Sequence, residues 1–543
     1  MSGTKKSLME RFISGVERIG NKLPHPFWIF TFLIVFVVGL SAVLASANFS
    51  VTYLAASKDP TVAPAMKTVA VKSLLSLEIL NKYFGNFAGV YGGFYPIGIV
   101  LIMMMAIGLA EKSGFITAAM RKMILGAPVQ WIIAIVAFVG INANLASDAG
   151  VVFTPLVAAA MLKSIGMNPW IGIIAGYAAA NGGYTANFFI AGTDALLAGI
   201  TESICTGNNI SYPISPLMNW YFLIAGTVVL TICTVIVCKY FLIPYLHGGK
   251  IDEIDASELA KHQLSADETK GLRVAGIAAL IFVVALVAMA LPSSSFLRNA
   301  DGGFVPRSPL LNNVVALLFL FFCTIGVSYG YAAKTIKSIN DIPGMMQDSL
   351  KGILSFLVVA LPAAFFIELF NESQLPTVLA VKGAEILRAA DISGIPLFLL
   401  FILICTCVNI FITSGVAKWL ILGPVFVPML AMVNISPAMT QLIYRIGDTC
   451  TNIISPIDYY VPVILGMLEA YRTNDNQKVG VGTLISLSIP FSIAYMIGFI
   501  ALLVFGIYSI CRLAPERAYI CKLNSRQASW RSLSPGTRAD STA

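Results

Sequence analysis

The sequence predicts an all-α polytopic membrane protein with nine transmembrane helices, two re-entrant hairpins arranged as inverted repeats, and two broken helices. The first observation is composition: of the 543 residues, 57% are hydrophobic and 11% are charged, and the mean hydropathy is +0.83. A soluble fold could not bury so much apolar surface. The second observation is that long apolar runs are interrupted by small polar residues at corresponding places in the two halves. In hydrocarbon such breaks persist only where protein, water or a solute pairs the backbone.

The chain begins with a basic segment, 1–26, which we predict to be cytoplasmic. Five basic residues precede the first apolar stretch, namely Lys5, Lys6, Arg11, Arg18 and Lys22. The apolar stretch at 27–49 is too long for a signal peptide and lacks the small-residue cleavage site. By the positive-inside rule it is a first span that starts on the cytoplasmic side.

Nine apolar stretches reach the ~20 residues that a helical crossing needs. They lie at 27–49, 88–111, 170–200, 218–244, 272–291, 309–332, 350–371, 438–467 and 481–511. The polar interruptions within 170–200 and 438–467 predict broken helices. Two further stretches, 129–163 and 392–434, are too long for one tilted helix and have polar centres, so we predict re-entrant hairpins. Counted from the cytoplasm, the first hairpin opens to the inside and the second to the outside, which makes the halves inverted repeats.

The same count divides the chain into a first transmembrane half, 27–246, a cytoplasmic linker, 247–271, and a second transmembrane half, 272–511. The linker is polar and carries charges of both signs. The tail, 512–543, is placed outside by the count, whereas its six basic residues favour the inside. We predict this tail to be atypical and disordered, because it is rich in Ser, Arg and Ala and lacks apolar periodicity.

Charge and cysteine content exclude several classes of function. The net charge is +8, but the basic residues lie mostly at segment ends, so they indicate topology rather than nucleic-acid binding. The nine cysteines show no metal-ligand or redox spacing, and no disulfide framework is predicted. The three histidines fall in cytoplasmic or interfacial segments, so any proton coupling must run through aspartates.

Ionisable side chains at membrane depth indicate a functional site, since each costs about 2.5 to 3.5 kcal/mol on insertion scales. The candidates are Asp148, Asp194, Lys418, Arg445, Asp448, Asp458 and Glu368. Arg445 and Asp448 are three residues apart, so mutual neutralisation on one helix face is the structural alternative. For Asp148, at the tip of the first hairpin, capping of the returning half-helix and contact with a solute are equally compatible with the sequence.

Amides and hydroxyls beside these charges add donors and oxygen ligands. They are Asn144, Ser147, Thr185, Asn187, Thr413, Ser414, Thr451 and Asn452. Hard cations prefer carboxylate, hydroxyl and carbonyl oxygens, and the N-termini of half-helices attract carboxylates. The sequence therefore predicts a site that holds both an anion and a cation, without specifying a metal ion.

Trp419 directly follows the tip of the second hairpin. An interfacial aromatic is one interpretation, and stacking on a substrate ring at midplane depth is the other. Pro424, Pro428 and Pro437 are typical of kinks and helix starts, and spacing alone assigns them no chemistry.

Several segments together resemble the p-aminobenzoyl-glutamate transporter (AbgT) family, from about residue 8 to 508. They are VERIGNKLPHPF at 16–27, DAG at 148–150, TAN at 185–187 followed by TD at 193–194, NWYF at 219–222, FVPM at 426–429, YRIGD at 444–448 and VGTLIS at 481–486. The resemblance implies a bacterial inner-membrane homodimer with nine spans and two inverted hairpins per subunit. It also implies a p-aminobenzoyl-glutamate or sulfonamide-type substrate, and energy from an ion gradient. The residues to which it assigns functional roles are Asp194, Trp419, Pro437, Arg445 and Asp448.

The chain departs from the family pattern in two places. One subgroup has a serine three residues before the tryptophan, where this chain has Val416, so a hydroxyl contact must come from Ser414 or be absent. The last span runs into Cys511 and the basic tail instead of the family's Gly- and Pro-containing end. The resemblance therefore does not extend beyond about residue 508.

Together these features predict a secondary active transporter, not an enzyme, that moves p-aminobenzoyl-glutamate or a sulfonamide antimetabolite by alternating access. No cofactor is predicted, and a proton or sodium gradient would supply the energy. The predicted partners are an aromatic carboxylate or sulfonamide, membrane lipid and a second copy of the chain. Asp194 and Asp448 would take a proton or hold a cation, and Arg445 would pair with the substrate carboxylate or with Asp448. The predicted substrate- or ion-binding set is completed by Asn187, Ser414, Asn452 and Asp148.

Two alternatives remain open at this point. A sodium-coupled dicarboxylate carrier of related architecture would be favoured if transport were unaffected by removal of the aminobenzoyl ring. An intramembrane aspartyl protease is suggested by Arg445-Ile-Gly-Asp448, although the first glycine of a Gly-x-Gly-Asp motif and a partner Tyr-Asp span are absent. The sequence specifies neither the direction of transport nor the choice between protons and sodium.

Overall fold

The computed structural model describes most of the chain between residues 24 and 513. The described ranges are 24–55, 65–246, 262–299, 302–303, 308–390, 392–409, 412, 414–456, 458, 460–472 and 479–513. Within them the protein is almost entirely helical, which confirms the predicted fold class. The predictions for residues 1–23, for 247–261 of the linker and for the tail beyond 513 lie outside the described residues.

The N-terminal region contains the only strands of the described chain. Helix α1 is Pro26–Ser46, and its first turn is capped by His25, whose Nδ1 accepts from the Phe27 N–H at 3.3 Å. Strands β1 (Ser50–Ala55) and β2 (Ala65–Ala70) pair antiparallel with Ser50 opposite Ala70. Two short helices follow, α2 (Leu77–Gly85) and α3 (Phe87–Gly92). Neither the strands nor α2 was predicted from the sequence.

The first repeat follows in seven helices. They are α4 (Tyr95–Lys112), α5 (Phe115–Leu125), α6 (Ile132–Ile141), α7 (Ser147–Ser164), α8 (Pro169–Gly182), α9 (Gly192–Gly207) and α10 (Trp220–Val237). A 3₁₀ turn at Val129–Trp131 leads into α6, and another at Asn142–Ala146 joins α6 to α7. A π-helical turn, Cys238–Leu242, and a last turn, Ile243–Tyr245, extend α10.

The middle of the chain holds four helices. They are α11 (Ala266–Ala290), α12 (Pro309–Asn312), α13 (Val314–Ala332) and α14 (Asp341–Leu350). Helix α11 begins earlier than the predicted span at 272–291, so residues 266–271 at the end of the predicted linker are helical. The reason is a capping box in which Ser265 Oγ accepts from the Glu268 N–H and Glu268 accepts from the Ser265 N–H.

The second repeat starts after a 3₁₀ turn at Lys351–Ile353. Its helices are α15 (Leu354–Glu372), α16 (Leu375–Ala389), α17 (Gly394–Asn409), α18 (Gly415–Ala431), α19 (Pro437–Asn452), α20 (Val461–Ala470) and α21 (Val481–Leu513). Each repeat therefore has the same order: an apolar helix, an amphipathic helix, a hairpin, a broken helix and a long apolar helix. The hairpins are α6–α7 and α17–α18, and the broken helices are α8–α9 and α19–α20.

Helices occupy all nine stretches that were predicted to span a membrane. Among the described residues, six helices are long and apolar enough to do so unbroken: Pro26–Ser46, Tyr95–Lys112, Trp220–Tyr245, Ala266–Ala290, Val314–Ala332 and Val481–Tyr508. Two further pairs qualify only as bent units, one at 115° between α5 and the first hairpin and one at 69° between α15 and α16. The number of crossings and their orientation stay predictions.

Glycines bring each hairpin close to the broken helix of its own repeat. A Cβ at Gly176 of α8 would lie 2.9 Å from Pro155 Cα of α7, and a Cβ at Gly447 of α19 would lie 2.6 Å from the Ile402 carbonyl oxygen of α17. Real Cβ atoms do not approach so closely, so any other residue would force the helices apart. Small residues at these positions allow the backbone approach typical of membrane helix pairs. This packing places the hairpin tips beside the helix breaks.

Candidate functional site

The first break is organised by the carboxylate of Asp194. Its Oδ2 accepts from Asn187 Nδ2 at 2.7 Å and from the Ala191 N–H at 2.8 Å, which caps the N-terminus of α9. Its Oδ1 accepts from Arg445 Nη1 at 2.7 Å. Both ionised side chains are at most 2% exposed. Asp194 therefore has a full set of donors, all of them internal to the protein.

Arg445 projects from α19 and joins the second repeat to the first. Its Nη2 donates to the Tyr184 carbonyl, and its guanidinium carbon lies 5.5 Å from the centroid of the Tyr184 ring. Arg445 does not form the i,i+3 pair with Asp448 that was the structural alternative. The reason is that Asp194, on the facing half-helix, takes one end of the planar guanidinium while a freed backbone carbonyl takes the other.

Asp448 is paired instead with Lys418, a residue of α18 in the second hairpin. Lys418 Nζ contacts Asp448 Oδ1 and donates to Asn409 Oδ1, and both charged side chains are 1% exposed. Neither carboxylate oxygen of Asp448 accepts a well-formed hydrogen bond; Oδ1 has the ion pair, and Oδ2 has no partner among the described residues. Sequence reasoning named Lys418 as an ionisable candidate but did not assign it to the site.

Asn409 ties the end of α17 to the second break. Its Nδ2 donates to the Asp448 carbonyl, to Thr451 Oγ1 at 2.8 Å and to Asn452 Oδ1 at 2.9 Å. The second hairpin and the broken helix are thus held together by amide hydrogen bonds. This residue was missed in the sequence, although a lone Asn at the end of a 16-residue apolar helix is a usable signal.

A cavity of about 630 Å³ lies where the hairpins and the broken helices meet. Its polar lining comprises Glu111, Lys112, Asn144, Asn181, Tyr184, Thr193, Asp348, Ser349, Ser414, Asp448, Asn452, Asp458 and Tyr460. The apolar wall includes Val100, Met104 and Ile107 of α4. The cavity runs from buried Asp448 to Lys112 and Asp348, whose side chains are 42% and 56% exposed, so it reaches the protein surface at the ends of α4 and α14.

Asp458 is, like Asp448, a buried carboxylate in the cavity wall. Its Oδ2 accepts from Tyr177 Oη at 3.1 Å, and its Oδ1 accepts from the Tyr460 N–H at 3.2 Å. Tyr177 belongs to α8 of the first repeat, whereas Asp458 follows the break of the second. The contact is therefore another polar link between the repeats, parallel to that between Arg445 and Asp194.

The predicted site residues fall into separate groups. Ser414, Asp448 and Asn452 line the cavity. Asp194, Asn187 and Arg445 form the buried network at the first break and are not part of the cavity wall. Pro437 is the first residue of α19, directly after the cap residue Ser436. The Asp148 and Ser147 side chains and Thr413 lie outside the described residues, and Glu368 on α15 does not line the cavity.

Trp419 is fully buried, and its indole N–H is hydrogen-bonded within the protein. Its Nε1 donates to Thr201 Oγ1 at 3.0 Å, and its ring centroid lies 4.8 Å from that of Tyr444 at an angle of 31°. Thr201 also accepts from Gln441 Nε2 at 2.7 Å, which links α9 to α18 and α19. Stacking of Trp419 on a substrate ring stays a prediction, and in the described conformation Tyr444 already packs against the indole.

We expect Trp419→Ala to lower the free energy of unfolding by about 3–5 kcal/mol, because it removes a large buried ring. Trp419→Phe keeps most of the packing and loses the bond to Thr201, so its cost should be about 1 kcal/mol. Unfolding of the purified protein in detergent measures both. Unchanged stability of Trp419→Ala, with weaker binding of aromatic than of non-aromatic ligands, would assign the ring to the substrate instead.

No cluster of three or more His, Cys, Asp or Glu side chains that could hold a metal ion occurs in the described part of the chain. In the cavity wall, Asp448, Asn452 and Ser414 supply oxygen atoms of the kind that bind small cations. The arrangement places a buried carboxylate, with one oxygen unpartnered among the described residues, in the wall of a cavity that reaches the surface, and a buried ammonium in contact with that carboxylate.

Comparisons with known proteins agree over nearly the whole chain. The sequence matches the family described as "AbgT putative transporter family" over residues 11–517. The p-aminobenzoyl-glutamate transport protein of Escherichia coli strain K12 is 33% identical over 490 residues, covering 90% of this chain and 93% of that protein. The YdaH transporter of Alcanivorax borkumensis superposes with a TM-score of 0.81 at 30% identity, covering 90% of this chain and 99% of that chain.

A second solved structure is similar to the same extent. MtrF of Neisseria gonorrhoeae, described as illuminating a class of antimetabolite efflux pumps, has a TM-score of 0.84 at 33% identity and covers 91% of this chain and 97% of its own. These relatives are transporters, so the aspartyl protease alternative is wrong. With its apolar helices, paired hairpins and broken helices, this chain is a polytopic membrane transporter and belongs to the AbgT family.

Proposed function

We propose that the protein is a secondary active transporter, coupled to an ion gradient, of p-aminobenzoyl-glutamate or sulfonamide-type antimetabolites. The observation that carries this proposal is the position of Asp448: a 1% exposed carboxylate in the wall of the cavity, with one oxygen that has no hydrogen-bond partner in the described part of the chain. An ionisable group so deep in a membrane protein is a functional candidate by default. A free carboxylate oxygen can accept a proton or contact a small cation.

The size and lining of the cavity support a substrate of this class. A volume of about 630 Å³ lies within the ~300–1,000 Å³ typical of sites for drug-sized ligands. Apolar side chains of α4 suit an aromatic ring, while Asn, Ser and Thr side chains and a nearby ammonium suit a carboxylate or a sulfonyl group. The substrate named for the E. coli relative has both parts.

We further propose that transport proceeds by alternating access. The cavity reaches the surface at Lys112 and Asp348, which lie on the cytoplasmic side in the predicted topology. In our proposal the buried contact of Trp419 with Tyr444 and the Arg445–Asp194 pair close the route to the opposite side. In our proposal the described conformation is open to the cytoplasm, and movement of the second hairpin relative to the first break opens the other side.

Within this mechanism we propose that Asp448 binds the coupling cation. Ser414 and Asn452 then make polar contacts with the substrate. Asp194, Asn187 and Arg445 keep the first break in register, and release of Asp194 during the cycle would let it take part in coupling. We place the protein in a bacterial inner membrane as a homodimer, in line with its polytopic AbgT-family architecture.

Flux of radiolabelled p-aminobenzoyl-glutamate in proteoliposomes tests the proposal. Proton and sodium gradients are imposed separately, in each direction, and we expect one of them to drive accumulation or extrusion. A dicarboxylate lacking the aminobenzoyl ring serves as the competing substrate. Equal transport of that compound would favour the dicarboxylate carrier, and gradient-independent flux of both would overturn ion coupling.

A further inference from the structure

The buried pair of Lys418 and Asp448 is not explained by packing alone. Two charges at 1% exposure have lost their hydration, and only part of that loss is offset by their mutual contact and by Asn409. Asp448 lines the cavity, and its Oδ2 has no hydrogen-bond partner among the residues that the structure describes. An apolar pair of similar volume would fill the same space without this cost. The pair is therefore expected to have a function that needs both charges.

Lys418 lies directly behind the cavity wall. It occupies the first turn of α18, a helix of 17 residues whose N-terminus is capped by Ser414. The residues just before it, Ser414, Gly415 and Val416, all line the cavity. A helix N-terminus carries partial positive charge, so a substrate carboxylate entering here meets both the helix dipole and the ammonium.

We propose that Lys418 couples cation binding to substrate binding by exchanging its partner. In the empty carrier its ammonium neutralises Asp448. When a proton or a sodium ion from the cavity binds Asp448 at Oδ2, the ammonium is released and pairs with the carboxylate of the substrate. Anionic substrate and cation then bind together, and neither leaves a buried charge unpaired. This inference rests on the proposed function and adds the residue that receives the substrate's charge.

The electrostatic surroundings of Asp448 are mixed and come from every element packed against it. The titratable and charged groups there are Lys418 of α18, Cys405 of α17, Tyr184 at the first break, Asp194 of α9, Asp458 after the second break, and Tyr444, Arg445 and Cys450 of α19 itself. Arg445 is held by Asp194 through Nη1 and by the Tyr184 carbonyl through Nη2. Lys418 is thus the cation whose ion pair is formed with Asp448 itself.

The test is the linkage between cation and ligand binding, measured calorimetrically on the purified full-length protein. If one proton binds with each p-aminobenzoyl-glutamate, raising the pH by one unit should raise the apparent dissociation constant about tenfold, over the pH range in which proton and ligand binding are linked. A sulfonamide without a carboxylate, neutral over the same pH range, should show no such dependence. Titration at fixed pH with varied sodium distinguishes the two cations, since a sodium-linked affinity would assign sodium to Asp448.

In Lys418→Met the affinity for p-aminobenzoyl-glutamate should fall at least tenfold and should no longer depend on the proton or sodium concentration. The affinity for the neutral sulfonamide should change little. Because that variant leaves Asp448 without its partner, Lys418→Met with Asp448→Asn provides a site with no unpaired charge and should behave in the same way. Lys382→Met, at an exposed lysine of α16 that does not line the cavity, is the matched control and should keep the full dependence.

Retention of the cation dependence in the double variant would overturn the inference, as would equal weakening of both ligands. Those results differ from failure of the proposed function, in which the wild-type protein binds neither ligand. Binding of both ligands by the wild type without any proton or sodium linkage would reject the exchange of partners while leaving the substrate class intact.

Discussion

Asp448→Asn is expected to reduce gradient-driven flux to the background of protein-free vesicles, while the protein still inserts in the membrane. The carboxylate is buried in the cavity wall, with one oxygen that no described residue hydrogen-bonds, and the amide keeps its shape but cannot be protonated or carry charge. Flux of p-aminobenzoyl-glutamate into proteoliposomes under an imposed proton or sodium gradient measures the loss. Exchange of substrate across vesicles without a gradient should be affected less, because exchange requires no net movement of the cation.

Asp348→Asn is the matched control for this prediction. It makes the same chemical change in the same cavity, at a carboxylate that is 56% exposed and forms an ion pair with the exposed Lys351. We expect near-normal flux, since an exposed ion pair contributes little. If Asp448→Asn retained the coupled flux of the wild type, another group would have to bind the cation, and Asp458 would be the first candidate.

The architecture was predictable because the breaks are visible in the sequence. Long apolar runs interrupted near Asn142, Asp194, Ser414 and Asp448 can only be hairpins or broken helices in a membrane, and the structure contains both kinds at those places. The pair of strands was not predictable. In Ala65–Ala70 the residues Met66 and Lys67 are both exposed, so the period-2 alternation that identifies a half-buried strand is missing.

The site residues were predictable as types, but their partners were not. Spacing along a helix suggested that Arg445 would pair with Asp448, three residues away. The structure pairs Arg445 with Asp194, 251 positions distant, and Asp448 with Lys418 of the neighbouring hairpin. Such contacts arise from the packing of the two repeats, which no local pattern encodes. Asn409 and Thr201 were missed for the same reason, since each acts through residues far away in the chain.

The Arg445–Asp194 pair is a link between the repeats, and its energetics can be separated from substrate recognition. Removing one member of a buried pair leaves the other charge without compensation, which costs about 3–5 kcal/mol. We therefore expect Arg445→Ala to lower the free energy of unfolding by that amount in detergent. Lys382→Ala, which breaks an exposed ion pair with Glu385 on α16, should change it by at most about 1 kcal/mol.

Asp194→Asn combined with Arg445→Met should recover more than half of the stability that Arg445→Ala loses. The asparagine retains the shape that accepts from the Ala191 N–H, and no buried charge is left unpaired. Measuring ligand affinity of this double variant separates the two roles of Arg445. If the arginine only holds the first break, p-aminobenzoyl-glutamate and a carboxylate-free sulfonamide should change in affinity by the same factor.

A selective loss for p-aminobenzoyl-glutamate in that stable double variant would instead show that Arg445 leaves Asp194 to pair with the substrate carboxylate. Arg445→Lys gives the complementary result, because a lysine restores the charge but not the planar, two-pronged geometry that a carboxylate prefers. Under the recognition role, it should raise the dissociation constant of p-aminobenzoyl-glutamate more than that of the sulfonamide. Under the structural role, the loss of the bond to the Tyr184 carbonyl should weaken both ligands equally, through a first break that no longer holds its register.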